Sequence, residues 1–438
     1  ENIEDKEEIL VSNLNIDKIE EEDYSDNLEI ETESEAMSVQ SEHNSEEQVG
    51  EQSLVNSYLS KEDIGKKELL LPLVVHQCKA CGLVQVLETV DPDEIYTKGK
   101  YLYFSKDVPG LKNYFEEYAE DLFDRFLNKD DFVIEVASND GILLDFLRSK
   151  VNVLGIDAAP NAVLKALKLG IPTFPSLFNL NVAQMVEHEF GKAKLVMANN
   201  CIAHVDDLTD FMNGIDKLLS PDGVFIFETG YWGEMVKRAN YEQIYHDHFS
   251  YYSLDVWKKY ADKFNMRVFD AVVTPAQDNC AIRVFLCRDD RPKTKRMIAI
   301  ENDEDQNMLN SFEVSMVYRD QVHTAWSNLK DVLKKLKSEK SSIAAYGDSA
   351  KAGTIVKCAD IGADLIDFYI DDSKSKQGLF TPIYHVPIIS RDEASKKEPD
   401  YLLILAVNYA DNIMSKEKEF HENGGKFIVP RGTDIQII

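Results

Sequence analysis

The chain has 438 residues, 44% of them hydrophobic, and a formal net charge of −30. That length allows two or three domains with real cores, and no apolar run approaches the ~20 residues of a membrane-spanning helix. Residues 1–60 hold 19 Asp/Glu against 2 Lys, which puts −17 of the charge there and −13 on the rest. An acidic body without a basic stripe argues against nucleic acid as the main partner.

The acidic start lacks the basic-then-apolar pattern of a secretory signal. Six cysteines, at 78, 81, 201, 280, 287 and 358, are sparse for this length, and only Cys78 and Cys81 form a CxxC. Such usage suits a reducing compartment. A cytoplasmic protein that does not engage a membrane is expected.

Residues 1–57 read as a disordered acidic tail: Glu, Ser and Asn dominate, and too little apolar surface is present to offset ordering entropy. Order is expected from Tyr58. In LLLPLVVHQCKACGLVQVLE (69–88) two short apolar runs flank Cys78 and Cys81, as strands flank a zinc knuckle. Residues 111–127 read as a helix with Tyr114, Phe115, Tyr118, Leu122 and Phe126 on one face.

Alternation follows. Strands are expected at Asp131–Ala137, Val151–Asp157, Leu195–Ala198 and Gly223–Glu228. Helices are expected at Gly141–Ser149, Asn161–Leu169 and Leu208–Leu219. Strands alternating with helices imply a parallel sheet covered on both faces, and right-handed crossovers make it doubly wound. A long amphipathic stretch, 306–337, reads as one helix joining two lobes. Strands at Ser342–Tyr346, Leu365–Ile370, Tyr401–Val407 and Lys426–Val429 then define a second, smaller α/β domain.

The turn after the first strand carries the first chemical signal. Open parallel sheets bind ligands beyond the carboxyl ends of their strands. The sequence there is Glu135-Val136-Ala137-Ser138-Asn139-Asp140-Gly141. A dinucleotide site wants GxGxxG, yet this turn has one glycine and two carboxylates. Carboxylates repel a pyrophosphate and suit a cationic sulfonium ligand bearing an amino group. Asp157, ending the second strand, is placed to accept hydrogen bonds from ribose hydroxyls; the alternative is a helix cap before Pro160. The third strand ends in Asn199-Asn200-Cys201-Ile202-Ala203-His204, polar groups placed to meet the ligand.

In these segments the chain resembles the sugar C-methyltransferases, which act on nucleotide-linked deoxy-4-keto-hexoses with S-adenosyl-L-methionine as donor. The resemblance lies in VIEVASNDG (133–141), VLGIDAAPN (153–161), ANNCIAHVDDLTDF (198–211), QIYHDHFSYYS (243–253), YGDSAKAGT (346–354), DDSKSKQG (371–378) and KFIVP (426–430). It implies a small N-terminal zinc-ribbon-like remnant (58–105), a doubly wound methyltransferase core (106–290), a linker helix (291–340) and a C-terminal α/β domain (341–438). It also implies roles. His248 matches the general base and Tyr245 its partner. His204 matches an active-site histidine, and Tyr103 a tyrosine facing the sugar. His246 and Arg283 fall on the substrate side, and Lys351 toward the nucleotide diphosphate, with a surface lysine as its alternative.

The chemistry has independent sense. Methylating carbon needs a carbanion equivalent, and a histidine can take a proton α to a ketone because its pKa lies near working pH. The cluster Tyr245-His246-Asp247-His248 reads as catalytic, against a structural network or an HxH metal pair.

Three departures stand out. The family's zinc module has two CxxC pairs; here only Cys78 and Cys81 stand, with His76 as a further donor, whereas a structural site takes four. Zinc is therefore left open against two free thiols. The family's Gly-Gly-Ser-Leu-Arg segment reads Asp278-Asn279-Cys280-Ala281-Ile282-Arg283, which implies an altered pocket. Asp348 stands where a small residue is usual. Besides C-methylation of a keto-sugar, an O- or N-methyltransferase on another small molecule and a non-catalytic nucleotide-sugar binder fit the sequence.

Overall fold

The computed structural model describes residues 47–87, 90, 104–108 and 110–438. Apolar residues recurring at strand and helix periods collapse into three sheets and their covering helices. In chain order the strands are β1 (Glu47–Ser53), β2 (Leu70–Gln77), β3 (Val84–Val86), β4 (Phe132–Val136), β5 (Asn152–Asp157) and β6 (Thr173–Pro175). Next come β7 (Ala193–Asn199), β8 (Leu219–Gly230), β9 (Ser250–Tyr251), β10 (Arg267–Thr274), β11 (Ala281–Cys287) and β12 (Ile343–Tyr346). The last are β13 (Phe368–Ile370), β14 (Ile388–Ile389), β15 (Tyr401–Ile404), β16 (Lys426–Arg431) and β17 (Asp434–Ile437).

The central sheet has the order β10-β11-β8-β7-β4-β5-β6. The pairs from β8 through β6 are parallel, and β11 and β10 close the far edge antiparallel. Strand order reverses between β4 and β7. That reversal leaves a crevice outside the strand ends, where open sheets bind ligands. The second sheet, β14-β13-β12-β15-β16-β17, repeats the plan, with its reversal between β12 and β15 and one antiparallel edge strand, β17.

The small N-terminal sheet runs β1-β2-β3-β9, so its last strand is borrowed from just after His248. One apolar cluster ties the parts together. It holds Leu73 and Val84 of this sheet, Tyr241 and Ile244 before the histidine cluster, and Trp326, Ile343 and Ile355 beyond it. Burial on that scale, roughly 25 cal/mol per Å² of apolar surface, fixes the loop 239–249 between the parts.

Two expectations are corrected. The acidic tail was expected to run to residue 57. Its first 46 residues lie outside the described ones, but Glu47–Ser53 is a strand paired with β2, in register Gln52↔Leu71. Backbone pairing along a sheet edge needs few apolar side chains, so composition hides it. The single linker helix is two helices, Lys295–Gln306 and Phe312–Ser338. Met308 takes a left-handed conformation, and Ser311 caps the second helix by accepting from the Val314 N–H. Among the described residues no helix is long and apolar enough to cross a membrane.

Candidate active site

The turn after β4 is built from positive-φ residues: Ala137 at 55°, Asn139 at 53° and Gly141 at 73°. Asp157 at the end of β5 holds it, accepting from the N–H of Asn139 at 2.8 Å and of Ala159 at 2.9 Å. The carboxylate therefore braces both the turn and the entry to the next helix, and burial raises its pKa. Asn139 in turn accepts from the N–H of Ser105 at 3.1 Å, fixing the segment before the helix Leu111–Phe126. The Ser138 hydroxyl packs over β5: a Cβ on Gly155 would meet it at 2.3 Å. Ser138 thus turns its side chain away from the opening, while Ala137 is exposed.

Glu135 is the unusual group. It is 4% exposed, and burial pushes its carboxyl up to about 8. One oxygen accepts from the Asn199 amide at 3.0 Å; the other has no partner among the described residues. Asp140 is fully buried, with one oxygen taken by the Lys106 N–H at 3.1 Å and Lys165 at 3.6 Å. Its pKa too is raised by burial.

Segment 199–204 links this turn to the histidines. Asn199 meets Glu135 at one end. At the other, His204 Nδ1 lies 2.6 Å from the Asp247 carbonyl, and the Phe249 N–H donates to the Ala203 carbonyl at 2.7 Å. Asn200, at φ 53°, donates its N–H to the Glu228 carbonyl at 2.7 Å and keeps an exposed side chain. The His204 and His248 rings stand 4.8 Å apart, edge to face.

His248 has a defined tautomer. Nδ1 lies 2.8 Å from the Gln243 carbonyl, and a carbonyl accepts only, so Nδ1 carries the proton. Nε2 then accepts from the Tyr245 hydroxyl at 2.8 Å. Burial, followed by electrostatic coupling to the His204 ring and the Lys351 charge, holds the His248 pKa well below its usual value. Burial also lowers His204, to about 4. Both rings are neutral at working pH. Asp247, largely buried, is raised to about 6 by desolvation.

Other expected residues fall elsewhere. His246 is 1% exposed, with Nε2 3.0 Å from the Pro72 carbonyl of β2. Its ring faces the N-terminal sheet, and among the described residues no group of three His, Cys, Asp or Glu able to hold a metal includes the HxH pair. Arg283 is 8% exposed. It pairs with Glu228 at 2.9 Å, and its guanidinium lies 3.2 Å from the Tyr118 ring centroid. A cation so engaged ties β11 to Glu228 of β8 and to Tyr118 of the helix over the sheet. Lys351 is no surface lysine. Its side chain is 12% exposed and lies 3.6 Å from Glu242, within electrostatic reach of His248. Tyr103 lies outside the described residues.

Residues not singled out from the sequence complete the site. Tyr114 hydrogen-bonds Glu228 and Tyr118 reaches Asn199 at 3.4 Å; their helical spacing had marked only a core face. Thr354 donates to the Ile244 carbonyl at 2.7 Å and so ties the second sheet's first helix to the histidine loop.

The site is suited to a cationic cofactor. Glu135 offers a buried, half-unpartnered carboxylate, Asp140 an oxygen likewise without a partner among the described residues, and Ala137 an open approach. The Cys78–Cys81 turn closes through Gly82 N–H to the Cys78 carbonyl at 2.8 Å, and among the described residues no third His, Cys, Asp or Glu joins the pair.

Fold and turn together define an S-adenosylmethionine-dependent methyltransferase. Comparison with known proteins agrees. Residues 111–270 match a methyltransferase domain, 280–431 a C-methyltransferase C-terminal domain, and 43–96 a putative zinc binding domain. The chain is 31% identical over 388 residues to the C-methyltransferase NovU of Streptomyces niveus, across 87% of this chain and 91% of that one. It belongs to the C-methyltransferase family. Two solved structures are also similar. One is PH0226 of Pyrococcus horikoshii, at 14% identity, 47% of this chain, 100% of that chain and TM-score 0.34. The other is an S-adenosylmethionine-dependent methyltransferase of Clostridium acetobutylicum, at 14% identity, 43% of this chain, 94% of that chain and TM-score 0.31.

Proposed function

We propose that this C-methyltransferase acts on a nucleotide-linked keto-deoxysugar, at the carbon next to the ketone, with His248 as the proton acceptor. The observation that carries this reading is the fixed tautomer of His248. Its one basic nitrogen, Nε2, faces a tyrosine hydroxyl beside the segment that also reaches the cofactor turn.

S-adenosylmethionine, when bound, supplies a methyl group on a sulfonium centre that accepts an electron pair. Glu135, Asp140 and Asp157 would hold its charged and hydroxyl groups, with the backbone at Ala137 and Asn139 letting it approach. Tyr245 and His248 handle the proton. The α-carbon's proton passes to the Tyr245 oxygen as the Tyr245 proton passes to Nε2, leaving an enolate and an imidazolium. A base with a depressed pKa gives its proton up readily once methylation is complete, and the neighbouring Lys351 charge favours that release. The same ammonium supports negative charge on the enolate oxygen, a stabilisation worth several kcal/mol by analogy with oxyanion holes. His204, Nδ1–H to the Asp247 carbonyl, orients the loop and presents a lone pair rather than a donor. Proximity does the remaining work.

The test is deuterium exchange at that carbon in heavy water. Wild-type protein exchanges it with S-adenosylhomocysteine bound, and His248→Ala does not. Undiminished exchange in the variant would exclude His248 as the acceptor.

A further inference from the structure

We infer that Tyr118 and Arg283 are positioning residues for the cofactor: acting through the Asn199 amide, they keep a hydrogen-bond donor turned toward Glu135, so that Glu135 meets the ammonium of S-adenosylmethionine as a carboxylate. The inference rests on the contact between Glu135 and the cofactor proposed above.

Four elements build the chain of contacts. Glu135 and Asn199 lie near the carboxyl ends of the neighbouring strands β4 and β7, and Asn199 Nδ2 donates to Glu135 at 3.0 Å. Tyr118, on the helix Leu111–Phe126, donates its hydroxyl to Asn199 Oδ1 at 3.4 Å. The Arg283 guanidinium of β11 lies 3.2 Å from the Tyr118 ring centroid. Glu228 at 2.9 Å and the Tyr114 hydroxyl at 2.6 Å hold it there. Tyr118 is buried, and buried hydroxyls are paired.

Each link has a chemical role. An amide turns end for end at little steric cost, since its oxygen and nitrogen are nearly alike in size. Toward a carboxyl the two ends are opposites. Nδ2 donates to an ionised oxygen, whereas Oδ1 repels that oxygen and calls for a protonated one. A hydroxyl that donates to the far end of the amide holds Oδ1 there and leaves Nδ2 for Glu135. A phenol can also accept, and Arg283 settles the direction: a cation against the ring strengthens the O–H as a donor and weakens the oxygen as an acceptor. Burial raises the Tyr118 pKa, and the Arg283 charge opposes that rise.

Glu135 depends on this one amide. Burial raises its carboxyl most, the Asn199 hydrogen bond lowers it, and Asp157 at the end of β5 and Asp140 in the turn raise it again. Cys201, just past β7, stays a thiol through burial and the Glu135 charge. Lys165 faces Asp140 instead. The direction of the amide therefore decides whether the ammonium meets a carboxylate or a neutral acid. Arg283, expected on the substrate side, serves the cofactor side.

The experiment is calorimetry on the full chain with S-adenosylhomocysteine from pH 7 to 9. Wild-type affinity rises across this range as Glu135 ionises. Tyr118→Phe should move that rise upward by about half a pH unit, which makes binding about threefold weaker at pH 7 and within about twofold of wild type at pH 9. Asn199→Ala should move it at least as far. Adding Tyr118→Phe to Asn199→Ala should move it no further, because the tyrosine acts through the amide. Arg283→Met/Glu228→Gln, which removes the cation and its partner charge together, should shift the rise the same way; an unshifted profile would overturn the role of Arg283. A Tyr118→Phe loss of equal size at every pH, no loss at all, or additive shifts in the double variant would overturn the role of Tyr118 and leave Glu135 as the ligand. Glu135→Gln that binds as wild type at every pH would overturn the Glu135 contact and this inference with it.

Discussion

The sheet centred on β4 and the sheet centred on β12 share one plan. Each reverses strand order once, and each places an acidic group in its first turn and an aspartate at the end of the next strand. In the first these are Asp140 and Asp157; in the second, Asp348 and Asp371. In both, that second aspartate accepts from the first turn's backbone: Asp157 from the Asn139 N–H at 2.8 Å, Asp371 from the Asp348 N–H at 2.9 Å. The difference lies in the cations. In the first, Lys165 lies 3.6 Å from Asp140 and backbone N–H groups hold Asp157; in the second, Lys376 sits 3.2 Å from Asp371 and 2.6 Å from the Asp348 carbonyl. On the proposed reading the first turn takes the cationic cofactor, its second aspartate held by backbone N–H groups, while a lysine holds the corresponding aspartate of the second sheet.

The largest effect expected lies at the junction of the two halves. His248→Ala should lower methyl transfer by about 10³-fold, within the range of general acid–base contributions, with S-adenosylhomocysteine affinity unchanged by calorimetry. Tyr245→Phe should cost about 10–100-fold in turnover, because Nε2 keeps its basicity but loses the relaying hydroxyl.

Glu135→Gln tests the acidic turn from both sides. It should weaken S-adenosylhomocysteine by about tenfold or more, as expected for a charge-assisted contact to an ammonium. It should also stabilise the cofactor-free protein in alkali. The Glu135 carboxyl is raised to about 8 from an ordinary 4.5. Between those values the folded protein holds the proton that the unfolded chain has lost, so stability falls as pH rises through that window. Glutamine removes the penalty, and Tm at pH 9 should rise by about 2–4 °C for each kcal/mol gained. Cofactor affinity of the wild type should increase from pH 7 to 9 as the carboxylate ionises; a flat profile would separate Glu135 from the ligand.

Asp348→Asn is the matching test in the second sheet. Burial raises Asp348 to about 7 from 3.8, so the same sign holds, and the variant should gain stability above pH 7. Unlike Glu135→Gln it should leave S-adenosylhomocysteine binding untouched. A loss there would erase the contrast between the sheets.

What was legible in the sequence was local. Strand–turn–helix alternation and the missing glycines around Glu135 are short-range features, and they marked the turn proposed for the cofactor. The resemblance to the sugar C-methyltransferases marked Tyr245 and His248 as a pair, and the structure joins them at 2.8 Å. Long-range partners were not legible. Arg283 looked available for substrate until β11 set it opposite Glu228. His246 stood next to Tyr245 in sequence, yet its ring is claimed by Pro72 of another sheet. The antiparallel strands β10 and β11 were missed because their apolar runs carry no signal of direction.

The sequence alone therefore determined the parallel core and the acidic turn after its first strand, because each depends on neighbours a few positions away. Only the tertiary structure decided which cations those groups meet. It put Lys351 beside Glu242 and His248 and locked Arg283 to Glu228. Coulomb interactions depend on distance in space and on burial, and neither can be counted along a chain.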